Sequence, residues 1–351
     1  MLFTNIFTNR GIEMNLRDNK YNKFFLIKEM LETGEIVKRL DVRKILSYEE
    51  EIKKERIFIT GEGSSRIFPA KKIMYEARKK GYKEDFYTDC AAQALEYNLL
   101  DSTVFVASNS GKTKEDLELI QKLKRQNHNN IISIVANAGT PIMNEAHASY
   151  LLTCGKENAI PATKSVVEQS LFYDLLFRKL NNISLPDLNK LGTLITQVLE
   201  MHIPDEITET LINSKIIYFA GRNNGVAEEL TLKANEIARK KSDFLEGTYV
   251  FHGIEEVMNT DEVVVIIDPF KDEEEKYKNV LIKGIGLKVV AISTRKTIFP
   301  TIIIPEYGDF TNYLEIAAGW NLLAEIGINM GIDVDNTLRA RKVGHEFESF
   351  S

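Results

Sequence analysis

The sequence predicts an α/β protein built from two doubly wound parallel sheets, and three observations carry that expectation. Short apolar or β-branched runs such as Arg56–Thr60, Thr103–Ala107 and Ile131–Ala136 alternate with segments whose apolar residues recur at helical spacing. Such alternation implies parallel pairing through right-handed crossovers. Two of the strands run into turns made of Gly, Ser, Thr and Asn, at Gly61–Ser65 and Ser108–Thr113. The plan then restarts: Lys215–Ala220, the polar turn Gly221–Gly225 and a helix through Lys240 follow about 160 residues after Arg56, one domain length.

In order along the chain, residues 1–24 are polar and irregular and read as a loose leader. Phe24–Leu46 reads as one or two helices, with Ile27, Met30, Leu31, Ile36, Val37, Leu40 and Val42 available for packing. The Arg56 strand leads to a helix at Ile67–Lys80, a short strand at Asp85–Thr88 and a helix at Ala91–Tyr97. Behind the Thr103 strand and its turn, Leu117, Leu119, Ile120 and Leu123 mark the next helix. The Ile131 strand, a short helix at Pro141–Ala146, a strand at Ser149–Thr153 and a long apolar helix over 165–181 complete a first domain, residues 25–184. Residues 185–213 read as a polar-faced helical connector. In a second domain, 214–332, strands recur at Glu262–Asp268, Lys288–Ser293 and Thr301–Ile304, and Thr311–Gly331 is a closing helix. Residues 333–351 form a tail.

Composition narrows the function classes. A 44% hydrophobic and 27% charged chain is of the soluble globular type. The net charge of -6 argues against nucleic acid or an anionic membrane as the main partner. Cys90 and Cys154 are the two cysteines and lack CxxC spacing, so a reduced, cytoplasmic setting is the expectation. The first residues lack the basic start and apolar stretch of a signal peptide, and no apolar run approaches a membrane span.

The Ser108–Thr113 turn is where the chemistry concentrates. It joins a buried strand to a helix N-terminus, where unpaired N–H groups and the positive end of the helix dipole favour an anion. Ser108, Ser110 and Thr113 add hydroxyls, Asn109 adds an amide, and Gly111 lets the backbone approach closely. The G-x-x-x-x-G-K-[ST] spacing of a nucleotide loop is missing, so the ligand it suits is a phosphate monoester. An ordinary capped turn is the alternative, since Ser and Thr are common caps. In the second half Asp268-Pro269-Phe270-Lys271 stands at the corresponding place and cannot replace those donors, so phosphate is expected in the first half alone.

Three segments, Gly61–Ser65, Ser108–Thr113 and Glu157–Lys164, together resemble the signature segments of sugar isomerase (SIS) domains. The resemblance runs from about residue 25 onward and is strongest to the isomerase half of glutamine–fructose-6-phosphate amidotransferase and to stand-alone glucosamine-6-phosphate deaminases. It implies two SIS domains of flavodoxin- or Rossmann-like three-layer form, with phosphate held by Ser65, Ser108, Asn109, Ser110 and Thr113. Ser64, Ile160 and Lys164 would contact the rest of the substrate. Lys233–Ile237 is similar to the segment whose glutamate, here Glu236, shuttles a proton between sugar carbons. His252, in Phe251-His-Gly253, is similar to the ring-opening histidine. Asp333-Val-Asp335 followed by Lys342 resembles the C-terminal tail that brings a Schiff-base lysine into the site. The family's Lys-His-Gly-Pro is Phe-His-Gly-Ile here, and residues between Asp335 and Lys342 match the family pattern poorly. A glutamine-hydrolysing domain is not expected, because no room for it precedes Phe24 and Leu2 follows Met1.

Each of these residues has a plainer reading. By spacing alone Glu236 belongs with Glu228, Glu229 and Lys233 to a solvated helical face, and only the resemblance reverses that. His252 in an apolar context would be structural by default, and Lys342, after Arg339 and Arg341, would be a surface group. Lys164 could equally be a helix-start residue. The remaining histidines lack metal-ligand spacing, and proton transfer through an enediol needs no metal, so neither metal nor cofactor is expected. The resulting expectation is an aminosugar-phosphate isomerase/deaminase that is a homodimer with shared sites. A fructosamine-type 6-phosphate deglycase and a non-catalytic sugar-phosphate sensor are its rivals. A sensor need not keep Glu236 and His252.

Overall fold

The computed structural model describes residues 13–339. Two helices, α1 (Phe25–Lys38) and α2 (Val42–Leu46), precede the first sheet. That sheet follows as β1 (Arg56–Gly61), α3 (Ile67–Lys80), β2 (Asp85–Thr88), α4 (Ala91–Ala94), β3 (Ser102–Ser108), α5 (Lys114–Arg125), β4 (Ile131–Val135), α6 (Pro141–Glu145) and β5 (Ala148–Leu151). Three helices lead onward: α7 (Lys164–Leu180), α8 (Leu188–Glu200) and α9 (Asp205–Ile212). The second sheet is built from β6 (Ile216–Gly221), α10 (Val226–Glu236), β7 (Lys241–Glu246), β8 (Val263–Ile267), α11 (Glu274–Tyr277), β9 (Lys288–Ser293) and β10 (Thr301–Ile303), and α12 (Thr311–Asn329) follows it.

All strands pair in parallel, in the orders β2-β1-β3-β4-β5 and β10-β9-β8-β6-β7. Read by position within each half, the two orders are the same, so the repeat seen in the sequence is a repeat of topology. The inner strands β1, β3, β4, β6, β8 and β9 are apolar on both faces, as helices covering both sides require. In the first sheet Ile57, Ile59, Phe105 and Ala107 pack toward α3 and α7, whereas Phe58, Val104 and Val106 pack toward α4 and α5. The second sheet turns Ile217, Phe219, Val263 and Val265 toward α10 and α12, and Tyr218, Val264 and Ile266 toward Tyr277 and Leu281. One apolar core runs from α1, α7 and α8 through α10 to Trp320 on α12 and so joins the two halves.

Three expectations need correction. The second-half helix ends at Glu236, not Lys240, and β7 follows it. Lys241-Ser-Asp-Phe-Leu-Glu lacks an apolar run because β7 is an edge strand, mostly open to solvent. The described part of the leader is anchored: Met14 and Tyr21 are buried, and Tyr21 donates its hydroxyl to Glu325 Oε1 at 2.5 Å. Lys20 pairs with the same carboxylate at 2.7 Å.

Candidate active site

The two hydroxyl-rich turns lie side by side. Gly61 at the end of β1 pairs with Ala107 near the end of β3, and from these neighbouring strands the chain departs toward opposite edges of the sheet. That is the switch point where open parallel sheets hold ligands, beyond the carboxyl ends of the strands. A side chain at Gly61 would meet the Ala107 carbonyl at 2.5 Å, so the close approach of the turns requires glycine there.

The Ser108–Thr113 turn is tightly built. Ser108 Oγ accepts the Gly111 N–H at 3.0 Å and shares a 2.8 Å hydrogen bond with Thr113 Oγ1. Ser110 Oγ accepts the Lys112 N–H at 3.2 Å. Gly111 takes φ +67, and its missing side chain leaves room for Thr140. Thr113 is the N-cap residue of α5, yet its hydroxyl bonds Ser108 instead of capping the helix. The first-turn N–H groups of α5 therefore point outward beside Ser110, an arrangement suited to an anion. Asp116 on that turn is fully buried, and burial, then Glu62, pushes its carboxyl well above the usual range.

Asn109 is only partly free to donate. Its amide gives one N–H to Glu157 Oε2 at 3.0 Å. Glu157 is fully buried and also accepts the Thr163 N–H at 2.7 Å and the Ser165 hydroxyl, which ties the turn to the start of α7. Its neighbours Asn158 and Ala159 give their N–H groups to the buried Glu29 of α1 at 2.5 and 3.2 Å. Lys164 opens α7 and pairs with Glu32 at 2.7 Å, turned toward α1. The Ile160 N–H donates to the Asp335 carbonyl at 2.8 Å.

Lys233 links the halves. Fully buried on α10, it donates to Ser64 Oγ at 2.8 Å and pairs with Glu236 at 2.8 Å and Glu229 at 3.4 Å. The solvated helical face that spacing alone suggests for α10 is thus replaced by an inward charged stripe, for which i, i+4 and i, i+3 spacing places Glu229, Lys233 and Glu236 in line. Burial alone would lower the Lys233 pKa, but Glu236 and Glu229 outweigh it and hold the ammonium above its usual value. Burial pushes the Glu229 carboxyl up to about 7. Glu236 keeps part of its surface open, with its side chain 21% exposed. Through Lys233 the Glu236 carboxylate and the Ser64 hydroxyl share one buried ammonium. Lys233 and Glu229 were legible in the sequence only as charges at helical spacing.

Of the expected residues, His252 is not brought in. His252 follows the short helical turn Tyr249–Phe251 after β7 and is exposed, and its ring has no hydrogen-bond partner among the described residues. Lys342 lies outside the described residues. The start of the tail is docked, however. Asp335 Oδ2 and Oδ1 accept the N–H groups of Phe25 and Leu26 at 2.9 and 2.7 Å, capping α1, and Arg239 holds the Asp333 and Asn336 carbonyls.

With this geometry in view, a family model described as the SIS domain matches residues 52–179. A curated relative, glutamine–fructose-6-phosphate aminotransferase [isomerizing] of Buchnera aphidicola, is 22% identical over 244 residues, 64% of this chain and 38% of the relative. The chain thus spans well under half the length of that protein. Among solved structures, the C-terminal domain of glucosamine-fructose-6-phosphate aminotransferase from Francisella tularensis superposes with TM-score 0.74 at 20% identity, covering 91% of this chain and 100% of that one. Glucosamine-6-phosphate deaminase from Thermotoga maritima gives 0.71 at 19% identity, covering 91% and 99%. Tagatose-6-phosphate ketose/aldose isomerase from Escherichia coli gives 0.73 at 15% identity, covering 91% and 97%. Likeness at this level of identity is likeness of fold, and it covers both halves of the chain.

Proposed function

We propose that the chain is a sugar-phosphate isomerase of the aminosugar type, acting as a deaminase on a hexosamine 6-phosphate such as glucosamine 6-phosphate. The observation that carries this reading is the Lys233 bridge, in which one buried ammonium bonds both Ser64, in the turn after β1, and Glu236. Phosphate sits on the Ser108, Ser110 and Thr113 hydroxyls, the free N–H of Asn109, Ser65 and the start of α5. Glu236 removes the proton at C2 of the open-chain sugar and returns it at C1, while Lys233 keeps the carboxylate oriented. The nitrogen leaves as ammonia, with water supplying the ketose oxygen, and a Lys342 imine is one route for that exchange. Likeness to the Francisella aminotransferase domain, the Thermotoga deaminase and the Escherichia ketose/aldose isomerase supports a phosphorylated ketose–aldose or aminosugar substrate.

His252 opens the ring, and its exposure supports a homodimer in which it serves the neighbouring subunit's site. Mixing Glu236→Gln chains with His252→Ala chains should then restore part of the activity lost in each. Verified subunit exchange with no recovery removes the shared site. The substrate is tested with a panel: ammonia and fructose 6-phosphate release from glucosamine 6-phosphate, beside fructosyl-amino-acid phosphates and tagatose 6-phosphate. Turnover confined to the fructosyl-amino-acid phosphates replaces the deaminase with a deglycase, and binding without any turnover makes the protein a sensor.

A further inference from the structure

The second sheet has a switch point of its own, between β6 and β8, and a cavity of about 380 Å³ opens there. Its walls are Arg222 after β6, Asp268 after β8, Thr294 after β9, and Asn312 and Glu315 on the first turns of α12. It is the second-half counterpart of the Ser108 turn, yet its chemistry is opposite. Five acidic side chains line it against two basic ones.

Most of those charges already have partners. Arg222 Nη1 donates to the Asp268 carbonyl at 2.6 Å and to its carboxylate at 2.7 Å, and the guanidinium lies 4.3 Å over the Phe270 ring. Asp309 is held by Lys80 and Arg178, and Glu76 by Lys72 and Arg178. Glu315 is different. It is 3% exposed, Asn312 donates to its Oε2 at 2.7 Å, and its Oε1 has no hydrogen-bond partner among the described residues. The Thr294 hydroxyl on the same cavity also has none among them. Asp268 adopts φ +43, a conformation that costs a non-glycine residue energy and recurs at functional sites. Burial, with Asp268 adding and Arg222 opposing, pushes the Glu315 carboxyl up to about 7, so a cation beside it would relieve an existing cost.

We propose that this cavity is a second small-molecule site, for a compound bearing a primary ammonium group that donates to Glu315 Oε1 and to the Thr294 hydroxyl. A bare metal ion fits poorly, because among the described residues no three acidic, His or Cys side chains converge as its ligands would. An anion fits poorly because Arg222 is committed to Asp268 and Lys79 pairs with Asp309. The site stands independently of the reading of the first half.

Isothermal titration of the full chain with putrescine, ethanolamine and unphosphorylated glucosamine tests it, with inorganic phosphate as competitor. At least one amine should bind, in the millimolar range or tighter, and phosphate should not displace it. Glu315→Gln should weaken that binding roughly tenfold or more, the worth of one charge-assisted hydrogen bond. Thr294→Val, at a half-buried position, should weaken it about threefold and covers the case in which Glu315→Gln fails to fold. Absence of binding by all three amines, unchanged affinity in the folded variants, or displacement by phosphate would each overturn the proposal.

Discussion

Replacing Lys233 with Met should make stability fall with rising pH over a range where the wild-type site is flat. Glu229 and Lys233 are both fully buried, 3.4 Å apart. Burial raises the Glu229 pKa from 4.5 to about 7, with Lys233 the leading group that opposes the rise. The folded pKa lies above the unfolded one, so between 4.5 and about 7 the unfolded chain releases its proton first. Over that window the site's contribution to stability declines, and above it the contribution is constant. Removing Lys233 lifts the folded pKa further, and the decline continues. Its slope is about 1.4 kcal/mol per pH unit, or roughly 2–3 kcal/mol between pH 7 and 9. Lys233 itself does not titrate there, since its pKa is held above 10.5. Urea denaturation of both proteins at pH 7, 8 and 9 measures the difference. Parallel stability curves would refute the reasoning, because Glu229 would then owe nothing to the Lys233 charge.

Other outcomes are tied to single contacts. Gly111→Ala should lower the melting temperature by the equivalent of roughly 1–3 kcal/mol, since a Cβ at φ +67 would lie 2.2 Å from Thr140 Oγ1. The double change Ser110→Ala, Thr113→Ala should raise KM for the sugar phosphate by orders of magnitude, at roughly 1.5–3 kcal/mol per charge-assisted bond, and an unchanged KM would place the phosphate elsewhere. Asp335→Ala should cost about 1–2 kcal/mol through the lost α1 cap and speed proteolysis of the tail; equal digestion rates would show that the cap does not hold it. Deleting residues 333–351 should abolish turnover and leave phosphate binding intact, and normal turnover would rule out a role for the tail in the chemistry.

Much of this protein follows from local patterns. The apolar runs of β1, β3, β4, β6, β8 and β9 are buried on both faces, so each stands out against its flanking turns. The Ser108–Thr113 turn was legible because its hydroxyls, its glycine and the helix behind it act within six consecutive residues. β7 was not legible, because an edge strand open to water needs no apolar run. The rest depended on contacts between residues far apart in the chain. Lys233 reaches Ser64 across 169 positions, and Asp335 caps a helix 309 and 310 positions earlier. A lysine with carboxylates three and four residues away has the same spacing whether it faces water or core. Packing of α10 against α3 and α12 decides between them, and with it whether Glu236 is a lone surface charge or the partner of a buried lysine. The cavity around Glu315 likewise exists only once α12 is laid across the ends of β6, β8 and β9, which no local pattern encodes.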